Sequence, residues 1–143
     1  MHLVDLKENI KKLIKEHEIT VAREKFKSSA GRAHIKERKI KIPRITDIHS
    51  AATVIHEIAH IILGHHDLVP DYVCEYDTER WTIKYLRKCN IHKDYKSDYI
   101  AYIENAKGYV KEHIEKYVAW HVKKGLTPKI RKKIGKWARA ENI

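Results

Sequence analysis

Apolar residues recur along the chain with two different periods. Leu3, Leu6, Ile10, Leu13 and Ile14 are spaced by three and four, with Lys and Glu between them, which predicts an amphipathic helix over residues 3–18. From Ile19 the pattern changes. Ile19, Val21, Ile35, Ile40 and Ile42 sit among alternating charges, and Ser28-Ser29-Ala30-Gly31 supplies a turn. This predicts a small two- or three-stranded antiparallel sheet over residues 19–42, closed by Pro43. Thr46 or Asp47 can then cap a helix over Ile48–Leu63 that Gly64 stops.

Beyond it, residues 67–74 read as a loop containing Pro70, and residues 75–89 as a second central helix with Trp81, Ile83, Tyr85 and Leu86 as packing residues. A long amphipathic helix is expected over 95–124, carrying Tyr99, Tyr102, Ile103, Ala106, Tyr109 and Val110. Gly125 ends it. Thr127-Pro128 then starts a last helix running to about Ala140. There is no internal repeat and no dividing linker, so the expected fold is one α+β domain over residues 1–143, mostly helical with a small antiparallel sheet. Its core spans about residues 19–90, and residues 95–143 form a helical C-terminal part.

The apolar runs are too short for a membrane span, which needs about 20 residues. The N-terminus mixes both charge signs and has no apolar core of a secretory signal, so a cytoplasmic location and no membrane partner are expected. Cys74 and Cys89 form no CxxC pair and read as buried free thiols.

Chemistry concentrates in the central helix, where His56-Glu57-Ile58-Ala59-His60 forms an HExxH motif. Positions i and i+4 share one helix face, so two imidazoles can converge on one cation, for which Zn²⁺ is suited. Glu57 emerges beside them, placed to move a proton between water and a leaving amine. A shuffled chain of this composition contains the motif about 0.07 times, so context matters. Here Ala51, Val54, Ile55, Ile58, Ile61 and Ile62 would bury the same helix, and burying two histidines and a glutamate there without a partner would be costly.

A third ligand can come from the next helix, where Glu75 and Glu79 again share a face. One assignment makes Glu75 the ligand and Glu79 the carboxylate that orients a ligand histidine; the reverse is its competitor. Asp77 projects about 200° away around the helix and is expected outside the site. His65 and His66 could be extra ligands, but a helix C-terminus attracts histidine through its dipole, which favours reading them as helix-end residues. The group that would stabilise an oxyanion is open among His92, His113, His121 and the tyrosines of the long helix.

The segment His56–His65, reading HEIAHIILGH, followed by Glu75-Tyr76-Asp77-Thr78-Glu79-Arg80-Trp81-Thr82, resembles the ImmA/IrrE family of zinc metallopeptidases. That family's usual wording is HE-x-x-H-x-x-x-G-H and then E-x-E-A-N-x-F-A. Ile40-Lys41-Ile42-Pro43, leading into the motif helix, is similar too, and the likeness covers about residues 19–90. In the second segment Asp77-Thr78 replaces Glu-Ala, Glu79 stands where Asn or Asp is usual, and Trp81 replaces Phe. The resemblance implies a minimal zincin-like fold and a Zn²⁺-dependent endopeptidase with His56, His60 and Glu75 as ligands and Glu57 as the catalytic base. Aligning Trp81 with the aromatic position favours Glu75 over Glu79 as ligand. It also implies a protein substrate, a regulator such as the helix-turn-helix repressor of a phage or mobile element.

Charge adds a qualification. The chain carries 30 Lys and Arg against 19 Asp and Glu, a formal net charge of +11. The excess lies at the ends: +5 over residues 1–60, −2 over 61–106 and +8 over 107–143. The run Lys129–Arg139 sets a basic face against Ile130, Ile134 and Trp137, which suits a solvated packed helix, an acidic protein partner or nucleic acid. Two alternatives to the simple peptidase follow: a basic nucleic-acid- or protein-binding module with a structural metal, or a DNA-associated protease similar to the SprT-like enzymes.

Overall fold

The structure is a computed structural model that describes residues 1–23, 31–65, 69, 71–123 and 128–139, with side chains described outside 117–123 and 128–131. The turn expected at residues 28–30, His66, the cap at Thr127 and the His121 side chain lie outside the described residues. Among those described, helix α1 spans Leu3–Glu16, strands β1, β2 and β3 span Thr20–Arg23, Arg32–His34 and Lys39–Ile42, and helices α2 and α3 span Ile48–Leu63 and Asp71–Lys88. Helices α4 (Ile91–Asp94), α5 (Lys96–Lys123) and α6 (Pro128–Arg139) follow. The fold is α+β and mostly helical.

The sheet is mixed. Its order is β1-β3-β2, with β2 antiparallel to β3 and β1 parallel to it, Val21 opposite Ile40. Period-two alternation identifies strands and their inner faces but not their neighbours, so the wholly antiparallel expectation is corrected at β1. Ile40 and Ile42 point inward from β3. They meet Leu6 and Ile10 of α1 and the apolar face of α2 in the main core, which also takes in Leu86, Ile91 and Ile103.

Helix α2 occupies the middle of this core because nearly all of it is apolar. Ala51, Ala52, Val54, Ile55, Ile58, Ala59 and Ile61 are buried. Asp47 caps it by accepting from the Ser50 amide at 2.7 Å, and Gly64 ends it at φ 60°, the left-handed conformation that glycine adopts without a Cβ penalty. Helix α3 starts at Asp71, four residues before the expected position. The loop expectation is thus corrected at residues 71–74, where Asp71 in the first turn complements the helix dipole; residues 67, 68 and 70 of that loop lie outside the described residues. A second cluster joins Tyr72 and Tyr76 of α3 to Val110 of α5 and Ile134 of α6. Trp137 packs edge-on against Tyr76 at 5.2 Å between ring centroids. No helix among the described residues is long and apolar enough to cross a membrane. Both cysteines are free; Cys89 is buried, and Cys74 is half-buried rather than wholly so.

Candidate metal centre

Helices α2 and α3 pack side by side, and the helical repeat brings His56 and His60 of α2 against Glu75 and Glu79 of α3. His56 Nε2 and His60 Nε2 are 3.1 Å apart. Glu75 Oε2 is 3.1 Å from the first of these nitrogens, and Glu75 Oε1 is 3.3 Å from the second. The three side chains thus offer donor atoms within 4.8 Å of one another.

What lies behind the rings decides which nitrogen faces this cluster. Glu79 Oε1 is 2.6 Å from His56 Nδ1, a close charge contact lying off the ideal N–H direction. A carboxylate only accepts, so the proton of neutral His56 belongs on Nδ1. Thr78 Oγ1 donates to the Cys74 carbonyl at 2.7 Å, which leaves it as an acceptor for His60 Nδ1 at 3.3 Å. Both Nε2 atoms are therefore left with lone pairs that point at each other and at a carboxylate.

Such a cluster requires a positive charge at its centre, either a proton or a metal ion. The donor set fits zinc: Zn–N bonds of 2.0–2.1 Å set ligands about 3.3–3.4 Å apart along a tetrahedral edge, close to the separations found here. Glu75 Oε2 is buried without an aligned hydrogen-bond partner, an orphan that coordination would satisfy. Without metal the demand falls on protons. Burial works to lower the His56 pKa, but the carboxylates of Glu75 and Glu79 outweigh it and raise the value to about 10. Burial likewise works to raise Glu75, yet His56 and His60 hold it well below the usual carboxylate range.

Glu57, the residue between the histidines, is buried and lines the same cavity of about 490 Å³. Burial raises its pKa, against the opposing pull of His56 and His60. A carboxylate so raised is a stronger proton acceptor. Gly31, at the entry to β2, closes over it: a Cβ there would stand 2.7 Å from Glu57 Cγ.

The structure therefore brings His56, His60 and Glu75 to one point, with Glu57 beside them and Glu79 behind His56. Glu79 meets Nδ1, the side of the ring turned away from the cluster, so the geometry favours Glu75 over Glu79 as third donor. Asp77 stands outside, as its helical angle requires, and pairs with His65 at 3.0 Å. His65 is more than a cap at the helix end, since it also lines the cavity. Cys74 lines it as well, but burial and neighbouring carboxylates push its thiol up to about 12, which leaves it protonated at neutral pH. Thr78 and Gly31 were not singled out for the site by sequence, although Thr78 carried a hint as the hydroxyl standing where alanine is usual; Tyr109 was one of several long-helix tyrosines left open as an oxyanion donor. Comparisons with protein-family models, curated proteins and solved structures return no match.

Proposed function

We propose that this chain is a zinc-dependent metalloendopeptidase of the ImmA/IrrE kind. The observation that carries the reading is the convergence of two Nε2 lone pairs and the Glu75 carboxylate beside Glu57 in one open cavity. Three protein donors with adjoining open space suit a catalytic site, which keeps one position for water, better than a closed structural site with four protein ligands. This favours an enzyme over a binding module with a structural metal.

His56, His60 and Glu75 would hold Zn²⁺, whose contribution is Lewis acidity that brings the pKa of water from 15.7 toward 7. Glu57 takes a proton from the attacking water and returns it to the leaving amine, the two transfers that peptide hydrolysis needs. Glu79 and Thr78 hold the rings of His56 and His60 in the tautomer that turns Nε2 toward the cavity. β2 is an edge strand among the described residues, and Gly31–Ile35 line the cavity, so an extended peptide can add to its free backbone groups. This supports a polypeptide substrate. By resemblance, the substrate is a regulator such as a helix-turn-helix repressor.

A second reading, recruitment of the peptidase to DNA, is favoured by α6. Lys132, Lys133, Lys136 and Arg139 are exposed there while Ile134 is buried. DNA affinity that falls steeply with salt would support it. The principal test is incubation of wild type and Glu57→Gln with repressors encoded by neighbouring genes. Cleavage by wild type alone supports the reading; cleavage by both refutes the role of Glu57.

A further inference from the structure

When water attacks a peptide carbonyl, negative charge grows on the carbonyl oxygen, and a preorganised donor facing that oxygen stabilises the transition state. The cavity offers few candidates for this donor. Arg32 and His34 alternate with Ala33 along β2 and both side chains are exposed. His65 commits Nε2 to Asp77, and its Nδ1 is buried. Tyr102 is buried, with its hydroxyl turned toward Glu79 and Thr82.

Tyr109 is exposed like Arg32 and His34 but stands on a packed helix rather than on the edge strand, and that exposure separates it from the buried Tyr102 and the committed His65. It comes from α5, a third helix, and lines both the cavity that contains His56, Glu57, His60 and Glu75 and the adjoining cavity that contains Gly31, His56 and Glu57. Tyr109 is 43% exposed, while the next residue, Val110, is wholly buried against α3 and α6. The backbone is thus anchored and the phenol is free to meet a ligand. On one side the ring rests against His113, 4.2 Å between centroids.

We propose that Tyr109 is a catalytic residue of this site, its phenolic O–H donating a hydrogen bond to the substrate carbonyl oxygen as that oxygen becomes an oxyanion. The inference rests on the metallopeptidase reading and adds to it the group that receives the developing charge. An unperturbed phenol, pKa about 10, keeps its proton at neutral pH. Burial and the charges of Glu75, Glu57 and Glu79 hold this one higher still, so it acts as a donor and is not consumed.

The test uses the full chain loaded with zinc and a phosphinic tetrapeptide with alanine on each side of the phosphinate, a stable tetrahedral anion. Wild type, Tyr109→Phe and Tyr109→Ala are compared for zinc content and phosphinate affinity by calorimetry, and for affinity toward the uncharged tetra-alanine peptide. Tyr109→Phe should keep its zinc and its peptide affinity but bind the phosphinate at least about tenfold more weakly, and lose about 10²–10³ in kcat on any substrate that wild type cleaves. Equal phosphinate affinity in wild type and Tyr109→Phe, with a loss only in Tyr109→Ala, would make the ring a wall of the cavity and overturn the proposal alone. Wild type that takes up no zinc, or takes it up and ignores the phosphinate, would overturn the metallopeptidase reading and this proposal with it.

Discussion

Replacing Gly31 by alanine tests whether β2 positions the proposed base. The added Cβ would lie 2.7 Å from Glu57 Cγ and 3.2 Å from the Lys41 carbonyl oxygen, against an optimum of about 3.5–4.0 Å between carbons. The overlap is thus about 0.8 Å or more. It falls on Cγ, close to the backbone, where a change of the terminal torsion gives no relief. Arg32 pairs with Lys41, which ties the start of β2 to β3, so the movement falls on Glu57. Among the described residues Gly64 is the glycine at positive φ, and Gly31 is not, so backbone strain does not explain an effect at Gly31. Overpacking of this kind costs about 1–3 kcal/mol of stability. A base displaced by about 1 Å costs about 10² in kcat, or about 2.7 kcal/mol of barrier. A double-mutant cycle separates this contact from general damage: with Glu57→Ala the Cγ is gone, and Gly31→Ala should then cost about 1 kcal/mol or less by denaturant unfolding. Zinc content should not change. Equal destabilisation in the two backgrounds, or wild-type kcat in Gly31→Ala, would refute the contact as a positioning device.

Thr78→Val keeps the shape of a fully buried side chain but removes the acceptor for His60 Nδ1 and the donor to the Cys74 carbonyl. Zinc affinity should fall about 10–100-fold in competition with a chromophoric chelator, and unchanged affinity would mean that the tautomer is set elsewhere. In the metal-free chain, His56 carries a pKa raised from 6.5 to about 10 by Glu75 and Glu79 in spite of burial. A raised pKa adds stability that is complete below about 6.5 and lost as pH rises through about 10, so thermal midpoints of chelator-treated protein should fall over that range. By the same linkage, zinc uptake at neutral pH should release about one proton, measurable by calorimetry in buffers of different ionisation heat. No release would contradict the protonated cluster.

Local signals predicted local structure well. Helix α2 has the bounds Ile48–Leu63 expected for it, because Asp47 and Gly64 mark its two ends with side-chain and backbone chemistry that needs no partner element. The convergence of His56 and His60 follows from helical geometry alone. The pairing of β1 did not follow, since alternation is the same whether Val21 meets a parallel or an antiparallel neighbour. Nor could spacing separate Glu75 from Glu79, which share a face; the distinction lies in which imidazole nitrogen each one meets across the helix interface. Gly31 and Thr78 belong to the same class, and so does the choice of Tyr109 from among the long-helix tyrosines. They lie 26, 18 and 49–53 positions away from the α2 residues they serve, and only the packing of β2, α3 and α5 on α2 reveals them.

The proposed hydrolysis depends most directly on a metal held by His56, His60 and Glu75 without help from Glu57. Zinc content by mass spectrometry, after dialysis of wild type and Glu57→Gln, tests that division of roles. About one equivalent bound in both proteins is the predicted result. Less than about a tenth of an equivalent in wild type with no uptake on titration, or loss of zinc from Glu57→Gln, would contradict it.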